Sequence, residues 1–390
     1  MNALRQIAAV TGLGLRHLPS RLGPSLVTVA GMAAAIGVLV SILSLAAGYA
    51  ELQRRTGDPG RAIILPETTD TEGAGAISRG VLGDIMAMSG IAKDTDGASL
   101  ADPEYVSILL ANRRPAGRPP GLASLRGIGR KGLAVRPELK IVAGRMFRPG
   151  ARELIVGIAL QPEFRGFDLG DKVIMQDGQW PIVGSFTTGG DILEGQIIGD
   201  AATLMSAAKR NAFNSVIVRL DGPSGLKTLQ QALAARPKLG VRAERQSDYY
   251  ERTSQDAAGF FRAVAYAVGG IMALGALCGA LNTMYSAVSA RTREIATLRA
   301  LGFSGIAVAI SVITESILLA LAGALIGIAL AWALFNGQGY AFGEVLFHLA
   351  VSPALVAVGL AWALAVALLG GILPAIRAAR LPVVNALRAT

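Results

Sequence analysis

Residues 291–330 read RTREIATLRALGFSGIAVAISVITESILLALAGALIGIAL. The stretch opens with a short, charged, helix-favouring piece, 291–299, and then loses almost all charge: from 300 to 343 only Glu315 is ionisable at neutral pH. A bilayer core of ~30 Å takes about 20 helical residues, so the apolar part predicts a membrane span. Working outward, residues 23–50, 263–290 and 349–376 are each 28 residues long without Asp, Glu, Lys or Arg. These predict three more spans.

The whole 390-residue chain is 52% hydrophobic and 16% charged, with mean hydropathy +0.49. That is too apolar for a soluble protein of this length unless membrane spans carry the excess. The net charge of +10 does not point to nucleic acid. Arg5, Arg16 and Arg21 precede the first span, Arg291, Arg293 and Arg299 separate the second from the third, and Arg377, Arg380 and Arg388 follow the fourth. By the positive-inside rule these three clusters are cytoplasmic.

The predicted division follows from this alternation. Residues 1–21 are a cytoplasmic N-terminal segment, with Leu4, Ile7, Ala8 and Leu15 offering the apolar face of an interfacial helix or marking only a plain tail. Residues 22–50 form the first span, read as an uncleaved anchor because its charge-free run far exceeds a signal peptide's apolar core. Residues 51–260 form a large outer domain and 261–290 the second span. Residues 291–304 are a cytoplasmic segment, 305–335 the third span, 336–350 an outer loop, 351–373 the fourth span, and 374–390 a cytoplasmic tail beginning at Pro374. The fold class is therefore a membrane protein of four transmembrane helices, arranged 1 + 3, with an α+β extracytoplasmic domain inserted between helices 1 and 2.

In that domain, short runs bounded by Gly, Pro or Asp predict strands at 61–65, 105–110, 153–156, 172–175, 180–186, 197–198 and 215–220. Helices are expected at 201–209 and 224–235, and a polar helix at 244–262 leads into the second span. The Pro-, Gly- and Arg-rich stretch 112–132 reads as an exposed loop or a join between subdomains.

Catalytic chemistry finds little to work with. His17 and His348 fall on opposite sides of the membrane, and Cys278 lies inside a span, so no Cys/His metal site or dyad can assemble. No metal site and no catalytic residue is expected. There is no GxxxxGK[ST] phosphate loop. Gly127, Gly129 and Gly132 fit GxGxxG, but they follow no expected strand. Asp94, Asp96 and Gly97 suggest a solvated turn better than a calcium loop.

The spans carry two GxxxG pairs, Gly275/Gly279 and Gly323/Gly327, whose flat faces allow close helix packing within the chain or between chains. Glu315 sits about nine residues into the third span, ~14 Å along the helix axis. It either reports on packing or locks two conformations, or else it pairs with arginine or backbone near the cytoplasmic interface. On 291–299, Ile295 and Leu298 share one helical face while Arg291 and Glu294 lie three apart on another, and Gly302 makes a helix stop. These residues alone leave open a docking helix or an inert interfacial loop.

The run REIATLRALGF at 293–303, followed by Glu315 and the glycine-rich third span, resembles the FtsX/MacB-like permeases of ABC transporters. Pro374, Arg377 and Arg380, then Asn385 and Arg388, are similar to that family's C-terminal ending. Gly144-Arg145, Phe147, the ELIVG run at 153–157, Leu169-Gly170-Asp171 and Ile182-Val183-Gly184 resemble its periplasmic core domain.

The resemblance implies a non-catalytic subunit that couples ATP hydrolysis on a partner to movement of the outer domain. Arg291, Arg293, Glu294, Ile295, Leu298, Arg299 and Gly302 would form the ATPase-coupling segment. ATP and Mg²⁺ would sit on a separate P-loop ABC ATPase, with no cofactor on this chain. A second permease copy or paralogue, and a periplasmic adaptor, are the other implied partners, in a bacterial inner membrane with both termini cytoplasmic. Export or extraction of a hydrophobic or lipid-linked substrate is the leading expectation. A signalling permease that activates a periplasmic partner is the alternative within the family, and a membrane receptor or scaffold without ATPase is the alternative outside it.

Overall fold

The structure is a computed structural model describing residues 6, 10–12, 22–175, 178–342 and 345–381. Most of the expected interfacial segment at 1–21, and the ending from 382 to 390, lie outside the described residues. The chain begins with α1 (Leu22–Arg54), β1 (Arg61–Pro66), β2 (Ile77–Ser78), α2 (Arg79–Met86), β3 (Ala101–Ala111) and β4 (Gly121–Ile128). It continues with α3 (Gly132–Val135), β5 (Lys140–Gly144), β6 (Leu154–Gly157), β7 (Lys172–Met175), β8 (Gly178–Thr187) and β9 (Gln196–Asp200). Then come α4 (Ala201–Ala207), β10 (Ala212–Phe213), β11 (Ser215–Arg219), α5 (Gly225–Ala234) and β12 (Val241–Arg245). The last elements are α6 (Gln246–Ala290), α7 (Thr292–Ala300), α8 (Gly305–Phe335), β13 (Gly339–Phe342), β14 (Val345–His348) and α9 (Pro353–Ala379). Two units result: one from Met1–Ala47, Gly259–Gly337 and Leu349–Thr390, the other from Gly48–Ala258 and Gln338–His348.

In the first unit, α1, α6, α8 and α9 are each long and apolar enough to cross a membrane. Their packing core is made of Met32, Ile36 and Val40 from α1, Ala320 and Ala324 from α8, and Ala363 and Ala367 from α9. Large apolar side chains such as Leu274, Leu325, Leu330 and Leu373 point outward, as suits a lipid solvent. Small residues set the closest crossing. A Cβ on Gly37 would lie 3.1 Å from the Gly327 carbonyl oxygen, so α1 and α8 meet backbone to backbone. Thr28 donates to Thr283 at 2.9 Å between α1 and α6, and Ser316 donates to the Ala367 carbonyl at 3.0 Å between α8 and α9.

Pro374 does not open a tail: it lies inside α9, which continues to Ala379. Proline costs one backbone hydrogen bond, which a packed transmembrane helix tolerates, and Pro374 is buried against the bundle.

The second unit is built on a ten-stranded mixed sheet in the order β12-β1-β11-β3-β4-β9-β6-β8-β5, with β7 added beside β8. Its pairs are antiparallel except β4 with β9 and β6 with β8. One apolar cluster gathers Ile64, Val216, Val218 and Leu229 near the β1 end. A second gathers Leu125, Leu154, Val156, Trp180 and Leu204 farther along the sheet. The expected strands all form: those at 61–65, 105–110, 180–186 and 197–198 run longer, 172–175 keeps its bounds, 153–156 shifts by one residue, and 215–220 stops one residue early. The polar 244–262 helix and the second span form one 45-residue helix, α6. The 336–348 loop holds a hairpin, β13 with β14, whose Leu346 joins the second cluster.

The reading of 112–132 as an exposed loop is corrected, because residues 121–128 form β4 in the middle of the sheet. β4 pairs with β3 and β9 and is almost wholly buried. It carries Arg126, 2% exposed, which holds Glu72 through two hydrogen bonds of 2.8 and 2.9 Å, Gln196 at 2.7 Å, and Glu104. Arg136 joins the same cluster, with Asp102 at 3.2 Å and Glu104. Buried charges persist only when paired and hydrogen-bonded in this way.

The formal GxGxxG sits beside the cluster: Gly129 N donates to Asp102 Oδ1 at 2.6 Å, and a Cβ on Gly129 would come 2.7 Å from that oxygen. Those glycines serve packing. At Asp94 the carboxylate accepts from the backbone of Asp96 and Ala98, both at 2.9 Å, which makes the expected turn.

Candidate functional site

α7 is set off from its neighbours at both ends by local chemistry. α6 ends at Ala290, and Arg291 leaves helical geometry (φ −106°, ψ 11°) before nine residues of α7 follow. Glu294 lies in the first turn and Arg299 in the last, each on the side the helix dipole favours. The stop is a glycine in the left-handed region, Gly302 at φ +93°. Phe303 N donates to the Leu298 carbonyl at 3.1 Å and Gly302 N to the Arg299 carbonyl at 3.1 Å. This pattern closes a helix end and needs a residue without Cβ strain at Gly302. Ser304 then caps α8 by accepting from Ala307 N at 3.2 Å.

Three of the sequence-predicted residues tie α7 to the membrane helices. Arg291 donates to Glu315 at 3.2 Å, with side chains only 12% and 8% exposed. The intramembrane carboxylate is thus paired with arginine, the second of the two readings held for it. Ile295 is buried among Met284, Val288, Val308 and Val312. Arg299 donates to the carbonyls of Ala379 and Leu381, at 2.7 and 3.0 Å, where α9 ends. Leu298 is half-buried.

The face with Ile295 therefore points into the chain and is closed to a partner. A helical periodicity shows which residues share a face, not whether that face turns inward.

What α7 leaves outward is Arg293, Glu294, Thr297 and Ala300, running into Leu301 and Gly302. Leu301 is 73% exposed, and Ile306 at the start of α8 is 71% exposed. Leu301 and Ile306 were not among the expected site residues, although Leu301 stands within the REIATLRALGF run. No spacing in the sequence marked them, because their exposure depends on how α7 is turned. The result is a short rigid helix with a mixed charged and apolar outer stripe, anchored to α6, α8 and α9. It offers contact and leverage. Among the described residues no group of three or more His, Cys, Asp and Glu could hold a metal ion.

The GxxxG pairs behave differently. Gly323 and Gly327 are buried on the α1-facing side of α8, where a Cβ on Gly323 would come 2.8 Å from Met32 Cβ. Gly275 and Gly279 on α6 have no atom within 4 Å of a Cβ position.

Two family models match the sequence. "MacB-like periplasmic core domain" covers residues 25–236 and "FtsX-like permease C-terminal" covers residues 266–383. No curated relative matches. Solved structures with similar chains include the extracellular domain of the noncanonic ABC-type transporter YknZ from Gram-positive bacteria, at 13% identity and TM-score 0.36, covering 47% of this chain and 100% of that one. The periplasmic region of MacB from Actinobacillus actinomycetemcomitans shares 15% identity at TM-score 0.36, covering 50% and 93%. A domain of a putative permease from Porphyromonas gingivalis shares 11% identity at TM-score 0.29, covering 49% and 90%. The assignment rests on the two sequence models, the first of which spans more than half of the chain. The protein belongs to the FtsX/MacB-like family of ABC-transporter permeases.

Proposed function

We propose that this chain is a non-catalytic permease subunit on which a separate P-loop ATPase docks through α7. The carrying observation is the division of labour along α7. Arg291, Ile295 and Arg299 fix it to three membrane helices, while Arg293, Glu294, Thr297 and Leu301 remain available. A helix held this firmly moves only with the helices it is fixed to, so force applied to its outer stripe reaches α6, α8 and α9. α6 continues as one helix into the α+β unit, which gives that force a route across the membrane.

ATP and Mg²⁺ would be bound by the partner. A second permease copy or paralogue would complete the transporter, in a bacterial inner membrane with α7 and both termini on the cytoplasmic side. An adaptor contacting the α+β unit is a further partner. The work done would be export or extraction of a hydrophobic or lipid-linked substrate, for which a 1 + 3 arrangement with a sizeable outer unit is suited.

The test is purification of the tagged full-length chain from its native membranes in mild detergent. An ABC ATPase that co-elutes and hydrolyses ATP is expected. Its absence, with the permease folded and intact, rejects the proposal and leaves a receptor or scaffold.

A further inference from the structure

The α+β unit contains a cavity of about 460 Å³ that the coupling reading does not use. Its walls come from the end of α1, the β1–β2 connection, β4, the start of α6 and β14. The volume lies within the roughly 300–1,000 Å³ of small-molecule sites.

Among its most deeply buried polar side chains is Gln53, 1% exposed. Gln53 Nε2 donates to Tyr49 at 2.9 Å, while its Oε1 has no hydrogen-bond partner among the described residues. A buried, unsatisfied carbonyl oxygen costs about 1–3 kcal/mol, a cost that a donor on a ligand removes.

The charges on the wall decide which donor. Arg126 is committed to Glu72 and Glu104, and Arg252 donates to Glu244 at 2.9 Å, so neither guanidinium is left to receive an anion. Asp256 also faces the cavity, is exposed, and has no ion-pair partner among the described residues. Tyr49 and Tyr250 supply aromatic surface, while the Arg252 guanidinium already lies 5.6 Å over the Tyr249 ring, which meets Tyr250 edge to face at 5.2 Å between ring centroids. An acceptor, a free carboxylate and tyrosine rings together select a cation that carries N–H groups.

We infer that this cavity binds a protonated primary amine with an apolar body, its ammonium reaching Gln53 Oε1 and Asp256. The inference stands apart from ATPase docking, since its residues all belong to the α+β unit. The amine can come from a lipid headgroup or from a soluble compound.

The test uses the full-length protein in phosphatidylcholine nanodiscs, titrated with 2-phenylethylamine, 2-phenylethanol and 3-phenylpropionate. The amine is expected to bind at least about tenfold more tightly than the alcohol, with no detectable binding of the carboxylate. Gln53→Leu and Asp256→Asn are each expected to weaken the amine at least about fivefold. Asp256 is exposed, so Asp256→Asn reports even if Gln53→Leu fails to fold. Equal binding of all three compounds, or unchanged amine affinity in folded Asp256→Asn, overturns the inference. Once binding is established, displacement of the amine by phosphatidylethanolamine added to the nanodiscs assigns the lipid headgroup as the source. Retained binding assigns a soluble amine.

Discussion

At Glu72 two effects compete. Burial, the largest single effect, raises the carboxyl's pKa, and the Arg126 guanidinium, the Ser215 hydroxyl and the Arg136 charge together lower it by more, so the group titrates at about 2. Its ordinary value is 4.5, so the folded state holds the ionised form more tightly than the unfolded chain does. The stabilisation is on the order of 3 kcal/mol, fully present above about pH 4.5 and lost as pH falls toward 2. Asp102 works in the opposite sense, since burial and then the neighbouring Glu104 charge push its pKa well up. Its contribution favours folding at low pH and fades as pH rises through that raised value. The α+β unit is therefore expected to lose thermal stability between pH 4.5 and 2, and Glu72→Gln to flatten that decline when melting is followed by circular dichroism. An unchanged pH profile in Glu72→Gln would assign the acid loss to other groups. None of this was legible beforehand. Arg126 stands in a stretch crowded with proline and glycine, and a charged side chain in such company reads as solvent-facing until its three acceptors are found around it.

Among elements, the long apolar helices were the most legible, because runs free of charge and longer than a bilayer is thick have few other uses. Strands β1, β7 and β11 were legible from β-branched residues between turn formers. β4 was not, and neither was the β13–β14 hairpin, whose two strands have only four residues each. α7 was legible as a helix with a stop at Gly302, but its orientation was not. Nothing in the spacing of Ile295 and Leu298 distinguishes the chain's own core from a partner's groove.

The two glycine pairs permit a controlled comparison. Gly327→Val places its branched side chain into the backbone of α1, where a Cβ alone would lie 3.0 Å from Gly37 N. The expected cost is about 1–3 kcal/mol, read as a lowered melting temperature in detergent. Gly275→Val adds atoms to open space and should leave the single chain within about 0.5 kcal/mol of the parent. Equal effects of the two substitutions would contradict the α1–α8 packing described here.

For the whole molecule, the proposal is that α7 is the point where outside work enters. Family membership gives the architecture, while docking rests on which residues of α7 are committed and which are free. The most direct measurement is ATP hydrolysis by the reconstituted permease–ATPase complex carrying Arg293→Glu, Glu294→Arg or Leu301→Asp. All three positions face outward, so membrane insertion and melting temperature should stay at parental values. The account predicts that permease-dependent hydrolysis falls about tenfold or more in each, the equivalent of 1.4 kcal/mol in docking. Full hydrolysis in all three variants would contradict it.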